Sequence, residues 1–231
     1  MNDPSQRVFP IGENALTIEF GNAILESFND RALSLADYFV HNPFPGFIES
    51  LPAYASATIF YDLVKVRQNF PEFATAFDAV NALVKDASDN LAGILEKKTR
   101  LIQIPVDFRE EFAPDLNLVK ETNHLTRSEV IEIFTSKTYR VYMIGFLPGF
   151  AYMGEVDERI ATPRKKTPRL RVPKGSVGIA GAQTGVYPFE SPGGWQIIGK
   201  TETELFTPND EIPCLFRAGD SVRFVEVKPR S

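Results

Sequence analysis

Apolar positions in the first hundred residues change period several times, and each change marks an element. Ala15 to Phe20 alternates apolar and polar side chains as a half-buried strand does, and Gly21 stops it. Phe28, Ala32, Leu35, Ala36 and Phe39 then recur at helical spacing, which predicts a helix from about Leu25 to Val40, ended by Asn42-Pro43. Phe47 to Leu51 and Ala57 to Tyr61 read as strands on either side of a turn at Pro52. A second helix is predicted from Pro71 to about Lys85, with proline in its first turn and Phe73, Ala76, Phe77, Val80 and Val84 on one stripe. Arg100 to Val106 completes the order βαββαβ, the signature of a split βαβ, ferredoxin-like module.

Beyond Pro105 the pattern shortens. Thr126 and Glu129 stand three apart before an apolar run, the spacing of a capping box, and predict a short helix to about Phe134. Tyr139 to Ile144, Ser176 to Ala180, Gln196 to Gly199 and Ser221 to Val227 are short β-type runs divided by Gly/Pro turns, as in a closed or nearly closed β-barrel. The expectation is therefore an α+β chain with an N-terminal α/β domain over residues 1–98 and a barrel domain over 99–231.

Composition narrows the chemistry. The formal net charge of −5 over 231 residues argues against a general nucleic-acid binder, which needs a basic excess on at least one face. Cys214 stands alone, so neither an internal disulfide nor a Cys-based zinc site can form, and His41 and His124 are too few for a His-rich metal cluster. No metal is expected. No apolar run reaches the ~18 residues of a membrane span, so a cytoplasmic protein with no membrane partner is expected.

Ten of the fifteen glycines fall between Gly145 and Thr201. Glycine loses more backbone entropy on folding than any other residue, so such a density points to tight turns or to backbone approached by a ligand. Gly194 to Thr201 fits GxxxxGK[ST], but Trp195, Gln196, Ile197 and Ile198 fill the positions a phosphate loop keeps small. This segment is predicted to be a strand, not a P-loop.

Pro163 to Lys174 carries Arg164, Lys165, Lys166, Arg169, Arg171 and Lys174 inside an acidic protein. It is either a solvated loop or an anion site in which arginine forks grip a carboxylate or phosphate. Gly181-Ala182-Gln183-Thr184-Gly185-Val186-Tyr187 sets an amide, a hydroxyl and a phenol among glycines, a set suited to an amide or lactam ligand, or else to a turn that satisfies itself. Phe146 and Trp195 lie in further aromatic and glycine loops that wall a pocket or plug a barrel end. Asp107, Glu110, Glu111 and Asp115 read as solvated loop charge rather than a magnesium site. No Ser-His-Asp set can be assembled.

The segments GFLPGFAYMG, TPRKKTPR, VPKGSVGIAGAQTGVYP, SPGGWQIIGKT and RAGDSVRF, in this order, resemble the family of KipI and the 5-oxoprolinase B subunit, also called allophanate hydrolase subunit 1. The resemblance is specific from Leu101 to Val227 and looser before it. It implies an N-terminal α/β domain and a C-terminal cyclophilin-like β-barrel. It also implies a component of a heteromeric, ATP-dependent 5-oxoprolinase that opens 5-oxo-L-proline to L-glutamate and is inactive alone. The partners implied are a homologous cyclophilin-like subunit and a third subunit, with ATP and Mg²⁺ bound in the complex rather than by a P-loop of this chain. On that reading Gln183, Tyr187 and Arg169 are the catalytic candidates. Arg164, Thr184, Phe146 and Trp195 contact substrate or anion, and Gly149, Gly181 and Gly185 allow close approach. The other branches of the family imply two alternatives, an inhibitor of a sensor histidine kinase and a carboxyltransferase half of a urea-carboxylase-like system. Two places depart from the family pattern: Phe134 stands where a histidine is usual, and Phe108-Arg109-Glu110 where Tyr-Gly-Gly is usual.

Overall fold

The computed structural model describes residues 6–91 and 99–227. The chain divides into two compact units, residues 1–98 and 99–231.

In the first unit the order is β1 (Arg7–Pro10), β2 (Ala15–Glu19), α1 (Glu26–His41), β3 (Phe47–Pro52), β4 (Ser56–Tyr61), α2 (Leu63–Asn69) and α3 (Ala76–Leu91). The strands form an antiparallel sheet in the order β1-β2-β4-β3. Alternation along β4 buries Ala57, Ile59 and Tyr61, which join Leu16 and Ile18 of β2 against Ala32, Leu35 and Phe39 of α1 and Val80 and Val84 of α3. The apolar stripe predicted for α1 is the one that packs.

Two expectations for this unit are corrected. Leu101–Val106, the last strand of the predicted βαββαβ order, pairs in parallel with a strand of the second unit, so the first unit is ββαββαα and its fourth strand is Arg7–Pro10. Alternating apolar residues identify a strand without identifying its neighbour. The second predicted helix starts at Ala76 rather than Pro71, and an unpredicted short helix, α2, precedes it. Asp62 caps α2, accepting from the Val64 and Lys65 amides at 3.0 Å each. α3 starts only after Thr75, whose hydroxyl accepts from the Asp78 amide at 3.0 Å while the Asp78 carboxylate accepts from the Thr75 amide at 3.1 Å.

The second unit contains β5 (Leu101–Val106), a 3₁₀ turn (Glu110–Phe112), α4 (Leu116–Thr122), α5 (Arg127–Ser136), β6 (Thr138–Ile144), β7 (Ala151–Gly154), β8 (Arg169–Val172), β9 (Ser176–Ala180), β10 (Gln183–Val186), β11 (Ser191–Gly193), β12 (Gln196–Lys200) and β13 (Ser221–Glu226). Seven strands form a nearly closed, barrel-like sheet in the order β12-β9-β10-β7-β6-β13-β5. Its two edges meet just beyond β5, where the Asp107 amide donates to the Lys200 carbonyl at 2.8 Å and the Lys200 amide to the Asp107 carbonyl at 3.0 Å. β8 and β11 form a separate two-stranded ribbon.

The barrel core gathers Ile104, Val141, Met153, Ile179, Ile198 and Phe224 from the strands with Leu116, Val119, Val130 and Phe134 from α4 and α5. The capping box at Thr126 and Glu129 is present as predicted. Phe134 stacks on Phe224 at 4.8 Å and lies 6.2 Å, edge to face, from Phe108, so both departures from the family pattern put rings into this core. No helix among the described residues is long and apolar enough to cross a membrane.

Candidate functional site

The chemistry of the second unit converges on Asp115, the residue before α4. Asp115 is 4% exposed. Its Oδ1 accepts from Arg169 Nη2 at 2.6 Å and from Lys165 Nζ at 3.0 Å, and its Oδ2 from the Ile197 amide at 2.6 Å. Burial pushes this carboxyl's pKa up, but the guanidinium, the Ile197 amide and the ammonium outweigh it and hold it below the usual carboxylate value. Two cations on one carboxylate leave a local positive excess, which Arg164 increases.

Arg164 lies over the Trp195 ring, its guanidinium carbon 5.7 Å from the centroid, within the range of a cation–π attraction. Trp195 is buried and meets Phe150 at 5.5 Å, Tyr152 at 5.9 Å and Tyr187 at 6.4 Å, all edge to face. Burial pushes the Tyr187 phenol up despite a hydrogen bond from the Trp195 amide and the nearby Arg164 and Arg169, so it stays neutral and serves as a hydrogen-bonding group rather than a base. Gly193 makes room for it, since a Cβ there would come 2.4 Å from the Tyr187 hydroxyl.

The segment Pro163 to Pro168 is tied down across this site. The Lys165 amide donates to the Gly194 carbonyl at 2.7 Å, and Gln196 Nε2 donates to the Pro163 carbonyl at 2.8 Å. Gln196 is 3% exposed, and its Oε1 finds no hydrogen-bond partner in the protein; nor does Arg169 Nη1, which is also covered. Because the Pro163 oxygen can only accept, the amide of Gln196 cannot be turned the other way.

Of the predicted site residues, the fold gathers Arg164, Arg169, Tyr187 and Trp195. Phe146 stands at the rim, 59% exposed at φ +72° with its ring 5.5 Å from Phe150, and Gly149 turns the same loop at φ +80°. Gly181 lies in the β9–β10 turn at φ +61°, and Gln183 opens β10 opposite Ala180 and Gly154, half-buried. Thr184 is fully buried and donates to the Gly178 carbonyl at 2.9 Å, so its hydroxyl serves the sheet. Gly185 is needed because a Cβ there would lie 2.6 Å from the Ala151 carbonyl oxygen.

Sequence reasoning misses Asp115 and Gln196 as members of the site and names Lys165 only within the basic run Pro163 to Lys174. Asp115 reads as one of four solvated acidic residues, whereas only its neighbours behave so: Arg109 pairs with Asp107 at 2.7 Å and with Glu111 at 2.9 Å. The available signal for Gln196 is its position as a lone polar residue in the apolar run Trp195 to Ile198. The P-loop expression is indeed a strand, β12, which pairs with β9 and, through the Lys200 amide, with Asp107, while its Ile197 amide serves the Asp115 carboxylate.

Residues 6–216 match the family model for the carboxyltransferase domain, subdomain C and D. The 5-oxoprolinase B subunit of Bacillus subtilis is 46% identical over 95% of this chain and 92% of its own length. That of Escherichia coli O157:H7 is 40% identical over 96% of each. This chain belongs to the 5-oxoprolinase B-subunit family. The crystal structure of TTHA0988, 34% identical with a TM-score of 0.78, matches 94% of this chain, which spans only 40% of that protein. In this member of the 5-oxoprolinase family the segments TPRKKTPR and SPGGWQIIGKT, both prominent in the resemblance, are the two that meet at Asp115.

Proposed function

We propose that this chain is one component of a heteromeric, ATP-dependent 5-oxoprolinase that opens 5-oxo-L-proline to L-glutamate. The observation that carries the reading is the identity, over nearly the whole length of both chains, with two proteins named as the B subunit of 5-oxoprolinase. A protein so named works in a complex. We assign as its partners a homologous subunit that shares the cyclophilin-like barrel we ascribe to residues 99–231, and a third subunit. The chain has no turnover alone, and the complex is cytoplasmic.

ATP and Mg²⁺ belong to the complex. The only phosphate-loop expression here, Gly194 to Thr201, does not fit them, because it forms a strand paired with β9, its Ile197 and Lys200 amides are taken by Asp115 and Asp107, and bulky side chains occupy the loop positions. The role of this chain is to position the lactam. A positive excess at Arg164, Lys165 and Arg169 beside a dry aromatic wall suits a small carboxylate, since charge-assisted hydrogen bonds strengthen where water is excluded. Tyr187 supplies a neutral hydrogen-bonding group for the amide, and Phe146 shields the rim.

The test is glutamate release from 5-oxoproline with ATP in a complex reconstituted from all subunits, each omitted in turn. Turnover is expected to vanish when this chain is left out. Full turnover without it would overturn the proposal.

A further inference from the structure

Among the described residues, three buried side-chain atoms lack a hydrogen-bond partner in the protein: Asn81 Oδ1, Arg169 Nη1 and Gln196 Oε1. Two of the three are in this one site, and both belong to side chains held in place by their other ends. Arg169 is fixed through Nη2 on Asp115, and Gln196 through Nε2 on the Pro163 carbonyl. A buried polar group without a partner destabilises the folded state, so two at one site mark groups kept for something else.

The two are chemically opposite. Arg169 Nη1 is a cationic donor that requires an acceptor, best a carboxylate; Gln196 Oε1 is a neutral acceptor that requires an N–H or O–H. A ring amide whose nitrogen is bonded to the carbon that bears a carboxylate offers both complements on adjacent atoms. We infer that Gln196 Oε1 accepts the N–H of such a lactam and Arg169 Nη1 binds its carboxylate, making Gln196 the residue that distinguishes a lactam from its oxygen analogue. This rests on the 5-oxoprolinase reading and adds to it the recognised edge of the substrate. Because both atoms are covered, the Arg164 to Thr167 stretch moves aside on binding while the Pro163 carbonyl keeps its hold on Gln196, exchanging ties such as Lys165 with Asp115 for contacts with the ligand.

The experiment is calorimetric titration of the full chain, and of the reconstituted complex, with 5-oxo-L-proline and with 5-oxotetrahydrofuran-2-carboxylate, which has oxygen in place of the ring N–H. The lactam is expected to bind about tenfold or more tightly than the lactone, because an acceptor left unpaired penalises the analogue. Gln196→Leu brings that ratio close to one, and Arg169→Met weakens both ligands. An unchanged ratio in Gln196→Leu, equal binding of the two ligands to the native chain, or no binding in either preparation would overturn the inference. An unchanged ratio together with turnover that needs this chain sinks only the inference. A shifted ratio with turnover that survives omission of the chain sinks only the proposed function.

Discussion

Asp115 and Ile197 hold each other twice: the Asp115 amide donates to the Ile197 carbonyl at 2.9 Å, and the Asp115 carboxylate accepts from the Ile197 amide at 2.6 Å. The pair copies one rung of a β-ladder with a side chain in place of one strand. It fastens the start of α4 to the open edge of β12, and it fixes the carboxylate that aims Lys165 and Arg169.

Removing that carboxylate leaves a buried guanidinium and amide uncompensated. Asp115→Ala is expected to cost about 3–5 kcal/mol, the usual penalty for breaking a buried pair from one side. Urea unfolding of the full chain measures it; a loss no larger than that of an exposed ion pair would show that the cluster is solvated.

The same residue sets a pH dependence. Its folded pKa lies below the unfolded value, so the unfolded state takes up the proton first as pH falls. The stabilisation is complete above the unfolded carboxylate pKa of about 3.9 and is lost as pH drops through the lower folded value. Asp115→Asn should flatten the stability curve in that acid window and leave its neutral slope unchanged. Denaturant titrations from neutral pH downward, compared between the two proteins, decide it.

Phe134 sits in an aromatic stack with Phe224 at 4.8 Å and Tyr139 at 5.2 Å and has no exposed surface. Phe134→Ala should destabilise the second unit by about 3–5 kcal/mol. Thermal unfolding followed by near-ultraviolet circular dichroism tests this, with a small effect meaning that the core refills the space.

Trp195 is the only tryptophan and is 4% exposed, so its fluorescence reports on the site. Its emission should be blue-shifted and poorly quenched by iodide. Arg164→Ala removes the guanidinium over the ring and should raise both emission wavelength and quenching. Strong quenching in the native chain would contradict the packing described.

Lys200 occupies the lysine position of the phosphate-loop expression yet bonds Glu202 at 2.7 Å and lies 5.3 Å from the Phe112 ring centroid. Lys200→Ala should therefore leave ATP-dependent turnover of the reconstituted complex intact. A collapse of turnover with folding preserved would return the phosphates to this segment.

Local patterns are readable where the physics is local. The α1 stripe, the Thr126 and Glu129 cap and the bulky residues of β12 each announce their structure within a few positions. Partnership is not readable: nothing in Leu101 to Val106 says that it pairs with Ser221 to Glu226, and nothing in Arg7 to Pro10 says that it completes a sheet. The site divides the same way. Arginine, tyrosine and tryptophan in glycine-rich segments draw attention by type, whereas Asp115 and Gln196 matter only because distant segments bury them. Thr184 shows the reverse, a hydroxyl that suits a ligand in composition and serves a main-chain carbonyl in the fold.

The parallel pairing of β5 with β13 places the first strand of the second unit beside its last. During synthesis the first unit has its whole sequence available before β5 emerges, while β5 waits for a neighbour made only after every other strand of its own unit. The order of assembly is thereby imposed by topology, and an interrupted chain would leave the barrel's flank open to other strands.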